Sequence, residues 1–361
     1  MMIEIPVSLG ARSYPILVGA GALSAVGPQL AKRGVGRRVI LVTDAAISRL
    51  HGDPVRRSLA EAGFDVAQTA IPEGEQAKRL DVASGLWDRL IDLGCDRSST
   101  VVALGGGAVG DLAGFVAATY MRGMNFVQVP TTLLAQVDAS IGGKTAIDHP
   151  RGKNLIGAFH QPRMVIVDPQ VLTTLPEREF RSGLAEVIKH GIVLDAGYFQ
   201  DLEASIPALM ARDLSTLDRV VAGSCRLKAA VVERDEQEAD LRWVLNYGHT
   251  VGHALEAATG FQRWAHGEAV SLGMVAEARL AERLGVGSPA ITERQRRLLD
   301  AVGLPVKGHA TDPAAVIEAL SRDKKRRDGR VSFVLAPEIG AFRIVPDVPP
   351  DAVRQVLEEL V

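Results

Sequence analysis

The stretch Thr100-Val-Val-Ala-Leu-Gly-Gly-Gly-Ala-Val-Gly-Asp111 decides the fold of this chain. Its apolar run from Thr100 to Leu104 predicts a strand that is buried on both faces, and the residues from Val109 onward predict a helix. The glycines between them satisfy the pattern Gly-x-Gly-x-x-Gly, which lets backbone amides approach a pyrophosphate at a helix amino terminus. A tight turn without any ligand has the same glycines, so the pattern leaves both interpretations open.

The same alternation of strand and helix continues on both sides of this stretch. Predicted strands are residues 3 to 9, 14 to 18, 38 to 42, 64 to 69, 126 to 129 and 164 to 167, and predicted helices begin at Ala45 and span 77 to 93. The first two strands are expected to form a hairpin. Buried strands that alternate with amphipathic helices predict a parallel sheet covered on both faces, whose ligands bind beyond the carboxyl ends of the strands.

Asp44 is the best candidate partner for a nucleotide ribose at these strand ends. The acid that usually follows a dinucleotide-binding glycine pattern after about 20 residues is missing here, because that region reads Val127-Gln-Val-Pro-Thr. Asp44 directly follows the strand that ends near Val42. A nucleotide bound there lies across the sheet in a different order from the familiar dinucleotide fold.

Helical periodicity dominates from about residue 176. Predicted helices are 182 to 193, 214 to 233, 244 to 259, 269 to 284, 292 to 302 and 313 to 321, and a hairpin is predicted from 331 to 345. We therefore predict two domains: residues 1–175 form a Rossmann-like α/β domain with a parallel sheet, and residues 176–361 form a mostly α-helical domain. The active site is expected in the interdomain cleft. The polar, glycine-rich segment 136–159 is predicted to be a functional loop there, with a solvated surface loop as the alternative.

Composition and charge restrict the class of protein. The chain has 361 residues, 47% of them hydrophobic and 23% charged, and a formal net charge of −2, so no global basic field predicts nucleic acid as a partner. Two cysteines, Cys95 and Cys225, cannot build a framework of disulfides and favour a reducing compartment. The amino terminus does not resemble a signal peptide, and no stretch reaches 18 apolar residues. A soluble, cytoplasmic protein without a membrane partner is expected.

The stretch Arg242-Trp-Val-Leu-Asn-Tyr-Gly-His-Thr-Val-Gly-His-Ala-Leu-Glu256 is dense in ionisable groups. A helical period of 3.6 places Arg242, Asn246, His249 and His253 on one face. Two histidines four residues apart on a helix can share a metal ion, although a hydrogen-bonded core pair has the same spacing. Two further residues favour a metal, since Glu186 lies in an otherwise apolar helix and His266 lies where a loop turns into a helix. Glutamate and histidine ligands with an open position are typical of catalytic zinc.

Several motifs resemble those of the 3-dehydroquinate synthase family, in order and over nearly the whole chain. They are residues 74–78 (Gly-Glu-x-x-Lys), 105–111 (Gly-Gly-Gly-Ala-Val-Gly-Asp), 130–145, 152–159, 183–189 (Gly-Leu-Ala-Glu-Val-Ile-Lys), 245–256, 266–270 (His-Gly-Glu-Ala-Val) and 323–325 (Asp-Lys-Lys). The resemblance implies a homodimeric lyase of the shikimate pathway that depends on NAD and on zinc or cobalt. It implies conversion of the sugar phosphate 3-deoxy-D-arabino-heptulosonate 7-phosphate to 3-dehydroquinate and phosphate.

The resemblance also assigns site residues, motif by motif. It implies the metal ligands Glu186, His249 and His266, so that His253 faces the substrate and is not a ligand. It implies contacts to NAD from Asp44, Glu75, Lys78, Gly106, Gly107, Asp111, Thr131, Thr132, Lys144, Lys153 and Thr174. Substrate contacts are implied for Arg122, Asp138, Lys144, Lys228, Arg242, Asn246 and one of Lys324 and Lys325. The catalytic residues implied are Lys153, Asn154, Lys189 and His253, which would hold the phosphate during elimination.

Three other functions are compatible with parts of this pattern. A metal-dependent alcohol dehydrogenase of the glycerol dehydrogenase type would have the same architecture but would carry out a net oxidation and would need fewer anion-binding cations. A related sugar-phosphate cyclase that makes an aminated or valiolone-type ring should have an altered pocket. A non-catalytic NAD-binding module would not need the metal ligands. Phosphate release without net accumulation of NADH separates the cyclases from the other two.

Overall fold

The computed structural model describes residues 2–308, 312–322 and 331–360. The chain forms two compact units, of which the first contains Met1–Leu175 and Leu217–Glu236 and the second contains Pro176–Thr216 and Gln237–Val361. The segment Leu217–Glu236 was expected in the helical half but packs with the first unit. There the Cys225 thiol donates to the carbonyl of Gln136 at 3.3 Å, and the Lys228 ammonium donates to the carbonyl of Asp138 at 2.5 Å.

Strands and helices alternate in the first unit and helices predominate in the second. The strands are β1 Ile3–Val7, β2 Tyr14–Val18, β3 Arg38–Asp44, β4 Asp65–Ile71, β5 Thr100–Gly105, β6 Asn125–Pro130, β7 Lys144–His149, β8 Gly152–Phe159, β9 Met164–Val167, β10 Phe333–Leu335 and β11 Arg343–Val345. The helices are α1 Val26–Ala31, α2 Ala45–Ile47, α3 Asp53–Glu61, α4 Leu80–Asp92, α5 Gly107–Thr119, α6 Glu177–Leu194, α7 Ala196–Met210, α8 Leu214–Arg234, α9 His249–Ala258, α10 His266–Arg283, α11 Pro289–Ala301, α12 Pro313–Arg322 and α13 Pro350–Leu360.

A seven-stranded sheet forms the centre of the first unit, in the order β1-β2-β9-β6-β5-β3-β4. The pair β1 and β2 is antiparallel, and the other neighbours are parallel. All six residues of β5 and all six of β6 are buried, as their apolar runs predict. The predicted hairpin and the predicted parallel sheet are therefore both confirmed.

Helix α5 packs closely on this sheet and on strand β7 of the separate β7–β8 sheet, because it is rich in small residues. A Cβ atom at Gly110 would lie 2.6 Å from the side-chain oxygen of Gln128 on β6, and one at Gly114 would lie 2.3 Å from Thr145 Cγ2 on β7. Larger side chains at these positions would push the helix away from its neighbours. The glycines after β5 therefore serve packing as well as any ligand at the start of the helix.

Within the segment 136–159, residues 144–159 form two strands, so the prediction of a loop is wrong for this part, and its functional role stays a prediction. Strands β7 and β8 form an antiparallel hairpin, with Lys144 paired to Phe159 and Ile147 paired to Ile156. Thr145 and Ile147 are buried, and Ile147 belongs to the core cluster that contains residues of α5. Polar and glycine residues on the exposed positions hid this alternation from the sequence pattern.

The helical prediction for residues 244–259 is wrong at its start. Leu241–Asn246 forms a 3₁₀ turn, Gly248 adopts a left-handed conformation with φ +79°, and α9 begins only at His249. The chain breaks there because Gly248 lies against α10, where a Cβ atom on it would be 2.6 Å from Met274 Cγ. Arg242 and Asn246 therefore do not share a helix face with His249 and His253.

Helices α7 and α13 of the second unit were not predicted. The carboxylate of Asp195 caps α7 by accepting the amide of Tyr198 at 2.8 Å, which is a typical helix cap.

Among the described residues, no helix combines the length and the apolar character needed to cross a membrane.

Candidate metal centre and nucleotide site

Helix α6 places a carboxylate in the interior of the second unit. Glu186 is fully buried, and the ammonium of Lys189, one turn further along the helix and also buried, forms a close ion pair with its Oε2. Burial alone would raise the pKa of the Glu186 carboxyl, but Lys189, His249 and His266 together hold that pKa well below its usual range. Glu186 is therefore ionised and available as a ligand.

Two histidines face the other oxygen of this carboxylate. Glu186 Oε1 lies 3.4 Å from His249 Nε2 and 3.7 Å from His266 Nε2, and the three potential ligand atoms lie within 4.8 Å of one another. Oε1 has no hydrogen-bond partner within the described ranges, although it is completely buried. Leaving a buried carboxylate oxygen in this state is costly unless a cation binds it.

The tautomer of His249 suits a metal ligand. Its Nδ1 lies 3.1 Å from the carbonyl oxygen of Tyr247, and a carbonyl only accepts, so Nδ1 carries the proton and Nε2 has a lone pair. One carboxylate oxygen and two imidazole nitrogens that converge in this way match the donor set of a catalytic zinc or cobalt site. The residues present therefore fit the divalent ion that the sequence predicts.

Glu256 faces the opposite side of the His266 ring. Its Oε1 lies 3.6 Å from His266 Nδ1, so the imidazole is held between two carboxylates. Burial would lower the pKa of His266, but Glu186 and Glu256 raise it to about 10. Glu256 was not identified as a site residue from the sequence, although it ends the stretch 242–256 that carries the two histidines.

His253 lies beside the three candidate ligands, but its ring nitrogen converges with Glu256 and His266 and not with Glu186. Its ring centroid is 5.3 Å from that of His249 and 6.0 Å from that of His266, and its ligand atom groups with those of Glu256 and His266. The structure thus brings together the Glu186, His249 and His266 that the resemblance implies. The individual roles of these four residues stay predictions.

Two further predicted substrate residues lie in the 3₁₀ turn of the second unit. The side chain of Arg242 is 2% exposed, and that of Asn246 is partly exposed. Lys324 and Lys325 lie outside the described residues, so their predicted contact with substrate stays a prediction.

The predicted nucleotide residues of the first unit gather at the carboxyl edge of the sheet. Asp44 ends β3 and is buried, and its Oδ1 accepts the amide of Ile47 at 2.8 Å. The turn from β5 into α5 lies beside the end of β6, because the amide of Thr131 donates to the carbonyl of Gly105 at 2.9 Å. A Cβ atom on Gly106 would lie 3.1 Å from Thr132 Cγ2, so the glycine brings the two turns close together.

The hydroxyl of Thr131 is a buried polar group at this edge. Its Oγ1 makes no hydrogen bond within the part of the chain that the structure describes. A nucleotide supplies phosphate and ribose oxygens that accept from such a group. Gly107 is the first residue of α5. The hydroxyl of Thr174 donates to the carbonyl of Val171 and lies 2.9 Å from His51 Nε2. The residues at the edge therefore fit NAD.

Lys78 organises a second polar cluster of the first unit. Its buried ammonium lies 2.8 Å from Asp111 Oδ2, contacts Asn154 Oδ1 closely, and lies 3.7 Å from Glu75 Oε1. Burial would lower the pKa of Lys78, but the carboxylates of Asp111, Glu75 and Asp148 raise it. The half-exposed Lys153 also lies 3.7 Å from Glu75 Oε1, so five of the predicted residues meet here.

Asp148 is a member of this cluster that sequence reasoning missed. Its amide donates to the carbonyl of Lys78 at 2.7 Å, and its Oδ1 accepts the amide of Asn154 at 2.8 Å. These two bonds hold Asn154, which has φ +56°, in a conformation unusual for a residue with a side chain. No single-residue pattern would have found Asp148, because its role depends on the β7–β8 hairpin.

The remaining predicted residues of the first unit lie apart from this cluster. Asp138 and Lys228 form a close ion pair, and Lys144 is exposed at the start of β7. Arg122 is exposed with φ +65°, just before β6 begins, and so lies at the amino edge of the sheet. The fold of the unit does not bring Arg122 to the strand ends that carry Asp44 and Thr131.

Comparisons with known proteins identify the family. The family described as 3-dehydroquinate synthase N-terminal matches residues 68–182, and the family described as 3-dehydroquinate synthase C-terminal matches residues 183–326. The 3-dehydroquinate synthase of Geobacter metallireducens is 52% identical over 344 residues, which cover 95% of this chain and 96% of that protein. The 3-dehydroquinate synthase of Desulforamulus reducens is 49% identical over 356 residues, which cover 98% and 99% of the two chains.

Solved structures agree with this assignment at the level of fold. A 2-deoxy-scyllo-inosose synthase complexed with carbaglucose-6-phosphate, NAD+ and Co2+ has a TM-score of 0.90 with 26% identity, covering 99% of this chain and 100% of that one. A 2-epi-5-epi-valiolone synthase from Streptomyces hygroscopicus with NAD+ and Zn2+ bound has a TM-score of 0.89 with 29% identity, covering 98% of each. Because both family models match and the curated relatives are about half identical over nearly their full length, the chain belongs to the 3-dehydroquinate synthase family.

Proposed function

We propose that this chain converts 3-deoxy-D-arabino-heptulosonate 7-phosphate to 3-dehydroquinate and phosphate, as a lyase of the shikimate pathway that uses NAD and a divalent metal ion. The observation that carries the proposal is the convergence of Glu186 Oε1 with the Nε2 atoms of His249 and His266, at 3.4 and 3.7 Å. The curated relatives at 49–52% identity bear the name of this activity.

Glu186, His249 and His266 would hold the metal, and the carboxyl edge of the sheet would hold NAD through Asp44, the amides after β5 and Thr131. When bound, the metal would supply Lewis-acid polarisation of a substrate hydroxyl, and NAD would accept a hydride and return it. NAD is therefore a cofactor and not a co-substrate. The reaction therefore releases phosphate without net oxidation.

The protein contributes cations for the two anionic groups of the substrate. Lys189 and Arg242 are buried in the second unit, and Lys228 is buried in the first. Desolvated cations attract a phosphate or carboxylate more strongly than exposed ones do, and the guanidinium of Arg242 offers a planar, two-point contact. Lys189 also neutralises Glu186 before a metal binds. Lys228 is likewise paired with the carboxylate of Asp138. Three buried cations in a chain of net charge −2 support a doubly anionic substrate, whose negative groups would compete with these carboxylates for them.

His253 is the proposed proton carrier of the second unit. It is partly exposed, and its imidazole lies beside the metal ligands without belonging to the set that Glu186 forms. An imidazole ring nitrogen can accept or donate a proton, so His253 can take part in proton transfer during elimination. Asn154 and Lys153 of the first unit are proposed to bind phosphate oxygens.

Incubation of the purified protein with the heptulosonate phosphate, NAD and Zn2+ or Co2+ tests the proposal. We expect stoichiometric release of phosphate, formation of 3-dehydroquinate by NMR, and no accumulation of NADH in the ultraviolet absorption spectrum. His249→Ala should lose bound metal, measured by elemental analysis, together with activity. Full metal occupancy in that variant would remove His249 from the ligand set, and steady production of NADH would favour a dehydrogenase.

A dehydrogenase is the second candidate function that the fold allows. A probable glycerol dehydrogenase from Sinorhizobium meliloti has a TM-score of 0.67 with 18% identity, covering 96% of this chain and 95% of that one, and this likeness shows the fold alone. The buried cations of this chain favour the lyase.

We further propose that the enzyme is a cytoplasmic homodimer that has neither nucleic acid nor membrane as a partner. The family resemblance supports the dimer, and two cysteines that are buried and form no disulfide support a reducing compartment. Light scattering should give twice the mass of the chain, and fractionation of the source cells should recover the protein with soluble cytoplasmic enzymes. A monomeric mass at micromolar concentration would contradict the dimer.

A further inference from the structure

We propose that Arg178 and Ser182 are positioning residues for the metal ligand His266, an inference that rests on the proposed function of the Glu186, His249 and His266 group. Arg178, Ser182 and Glu186 follow one another at intervals of four residues on α6, so they lie on one face of that helix. Each of them contacts the segment at which α10 begins, or the ligand itself.

The first contact is a two-point ion pair. Arg178 Nε donates to Glu268 Oε1 at 2.8 Å, and a terminal nitrogen of the same guanidinium donates to Glu268 Oε2 at 2.7 Å. That nitrogen also donates to the carbonyl of Arg263 at 3.1 Å. Arg178 thus holds the chain both before and after His266.

Glu268 in turn fixes the backbone at the amino terminus of α10. Its Oε2 accepts the amide of Ala265 at 2.8 Å, which is the reach-back bond of a helix start, and His266 is the first residue of the helix that follows. The backbone on either side of the ligand is therefore fixed by one carboxylate whose own orientation is set by Arg178.

The second contact lies one turn further along α6. The hydroxyl of Ser182 accepts the amide of Gly267 at 2.9 Å, and a Cβ atom on Gly267 would lie 2.0 Å from the carbonyl oxygen of Ser182. Glycine is required there because the two backbones touch. Ser182 and Gly267 are both buried, so this bond fixes the distance between the helices with little freedom.

The third residue on the face is the ligand Glu186. Its Oε1 lies 3.7 Å from His266 Nε2, so the register set by Arg178 and Ser182 determines how these two ligand atoms meet. Metal–ligand distances tolerate errors of only about 0.2 Å. Residues that hold a ligand from outside the coordination sphere typically change metal affinity by about 10–100-fold when they are removed.

Arg178→Ala tests the inference without threatening the core, because the Arg178 side chain is 58% exposed. We expect the dissociation constant for Zn2+, measured by competition with a chelator, to rise about tenfold, and the visible absorption of the Co2+-loaded protein to change. Ser182→Ala should have a similar or larger effect, because it leaves the buried amide of Gly267 without its acceptor. Arg178→Lys should recover only part of the affinity, since an ammonium cannot replace a two-point contact.

Arg181→Ala is the matched control, because Arg181 lies on the same helix and pairs with Glu177 on that helix, at 3.0 Å. Its metal affinity and Co2+ spectrum should equal those of the wild type, as should the NAD affinity of every variant. If Arg178→Ala and Ser182→Ala also match the wild type, His266 does not depend on this face of α6 and the inference is wrong. If the wild-type protein itself binds no metal, the proposed function is wrong, and this outcome is distinct from one in which the wild type binds metal and the variants match it.

Discussion

Gly273→Ala should disrupt the metal centre from a distance. Gly273 lies on α10, two turns after His266, and a Cβ atom there would be 1.9 Å from the carbonyl oxygen of Gly248, 2.8 Å from its carbonyl carbon and 2.9 Å from the amide nitrogen of Gly252. That carbonyl oxygen accepts the amide of Gly252 at 2.9 Å, which is the bond that starts α9. The added methyl group would therefore strike the helix start that carries His249.

The size of the effect follows from these distances. Contacts of a Cβ atom shorter than 3.0 Å are essentially never seen, whereas a Cβ atom on Gly273 would lie 1.9 Å from the carbonyl oxygen of Gly248. The backbones at Gly273 and Gly248 must therefore separate by roughly 1.1 Å. Such overpacking destabilises a protein by about 3 kcal/mol. Because the ligand atoms of α9 and α10 would move apart by a comparable distance, we expect affinity for Zn2+ to fall about a hundredfold.

Two other glycines provide a graded comparison. Gly252→Ala should have a smaller effect, because its Cβ atom would lie 3.1 Å from the carbonyl oxygen of Ala269. Gly85 is exposed within α4, and a Cβ atom there would meet nothing within 4 Å, so Gly85→Ala should raise stability by about 0.5–1 kcal/mol. Thermal unfolding of the metal-free proteins and titration with Zn2+ measure the two quantities. An unchanged unfolding midpoint and metal affinity in Gly273→Ala would refute this reasoning.

Three further predictions concern the first unit. Lys78→Met should lower the free energy of unfolding by about 3–5 kcal/mol, because it leaves the carboxylate of Asp111 without its nearest cation; an unchanged urea midpoint would contradict this. The wild type should bind NAD more tightly than NADP, because the 2′-phosphate of NADP would meet the carboxylate of Asp44. Asp44→Ala should reduce this preference for NAD. Equal affinities of the wild type for NAD and NADP, measured by calorimetry, would exclude Asp44 as the ribose partner. Cys95 and Cys225 should not react with a thiol reagent until the protein unfolds, because both are buried and burial raises the pKa of Cys225 to about 12; rapid modification of the native protein would be the contrary result.

The sheet of the first unit was predictable because its strands are apolar on both faces. Runs such as residues 100–104 and 126–129 admit few alternatives when glycines and amphipathic helices separate them. The β7–β8 hairpin was not predictable in this way, since β8 exposes most of its residues and only one face of β7 meets a core. Its buried residue Ile147 packs against residues of α5, a contact between segments that are not neighbours in the sequence.

The stretch 242–256 shows where periodicity misleads. Its polar residues fit a helix of period 3.6, but Gly248 stands in the left-handed conformation because α10 approaches it closely. That approach is a tertiary contact, and no local pattern contains it. The prediction that Arg242 shares one helix face with His249 is therefore wrong, because Arg242 lies in the 3₁₀ turn before Gly248 and His249 begins α9.

The positions of the two proposed histidine ligands give a physical reason for the buried acid that accompanies them. His249 is the first residue of α9 and His266 is the first residue of α10, so two helix amino termini point toward one small region. Each terminus carries roughly half a positive charge, which disfavours a divalent cation but favours an anion. Glu186 and Glu256 lie against the same imidazoles and offset that positive charge when a metal binds. A site of this kind cannot be found from a helical face of histidines, because it requires ligands from the ends of different helices and a carboxylate from a third.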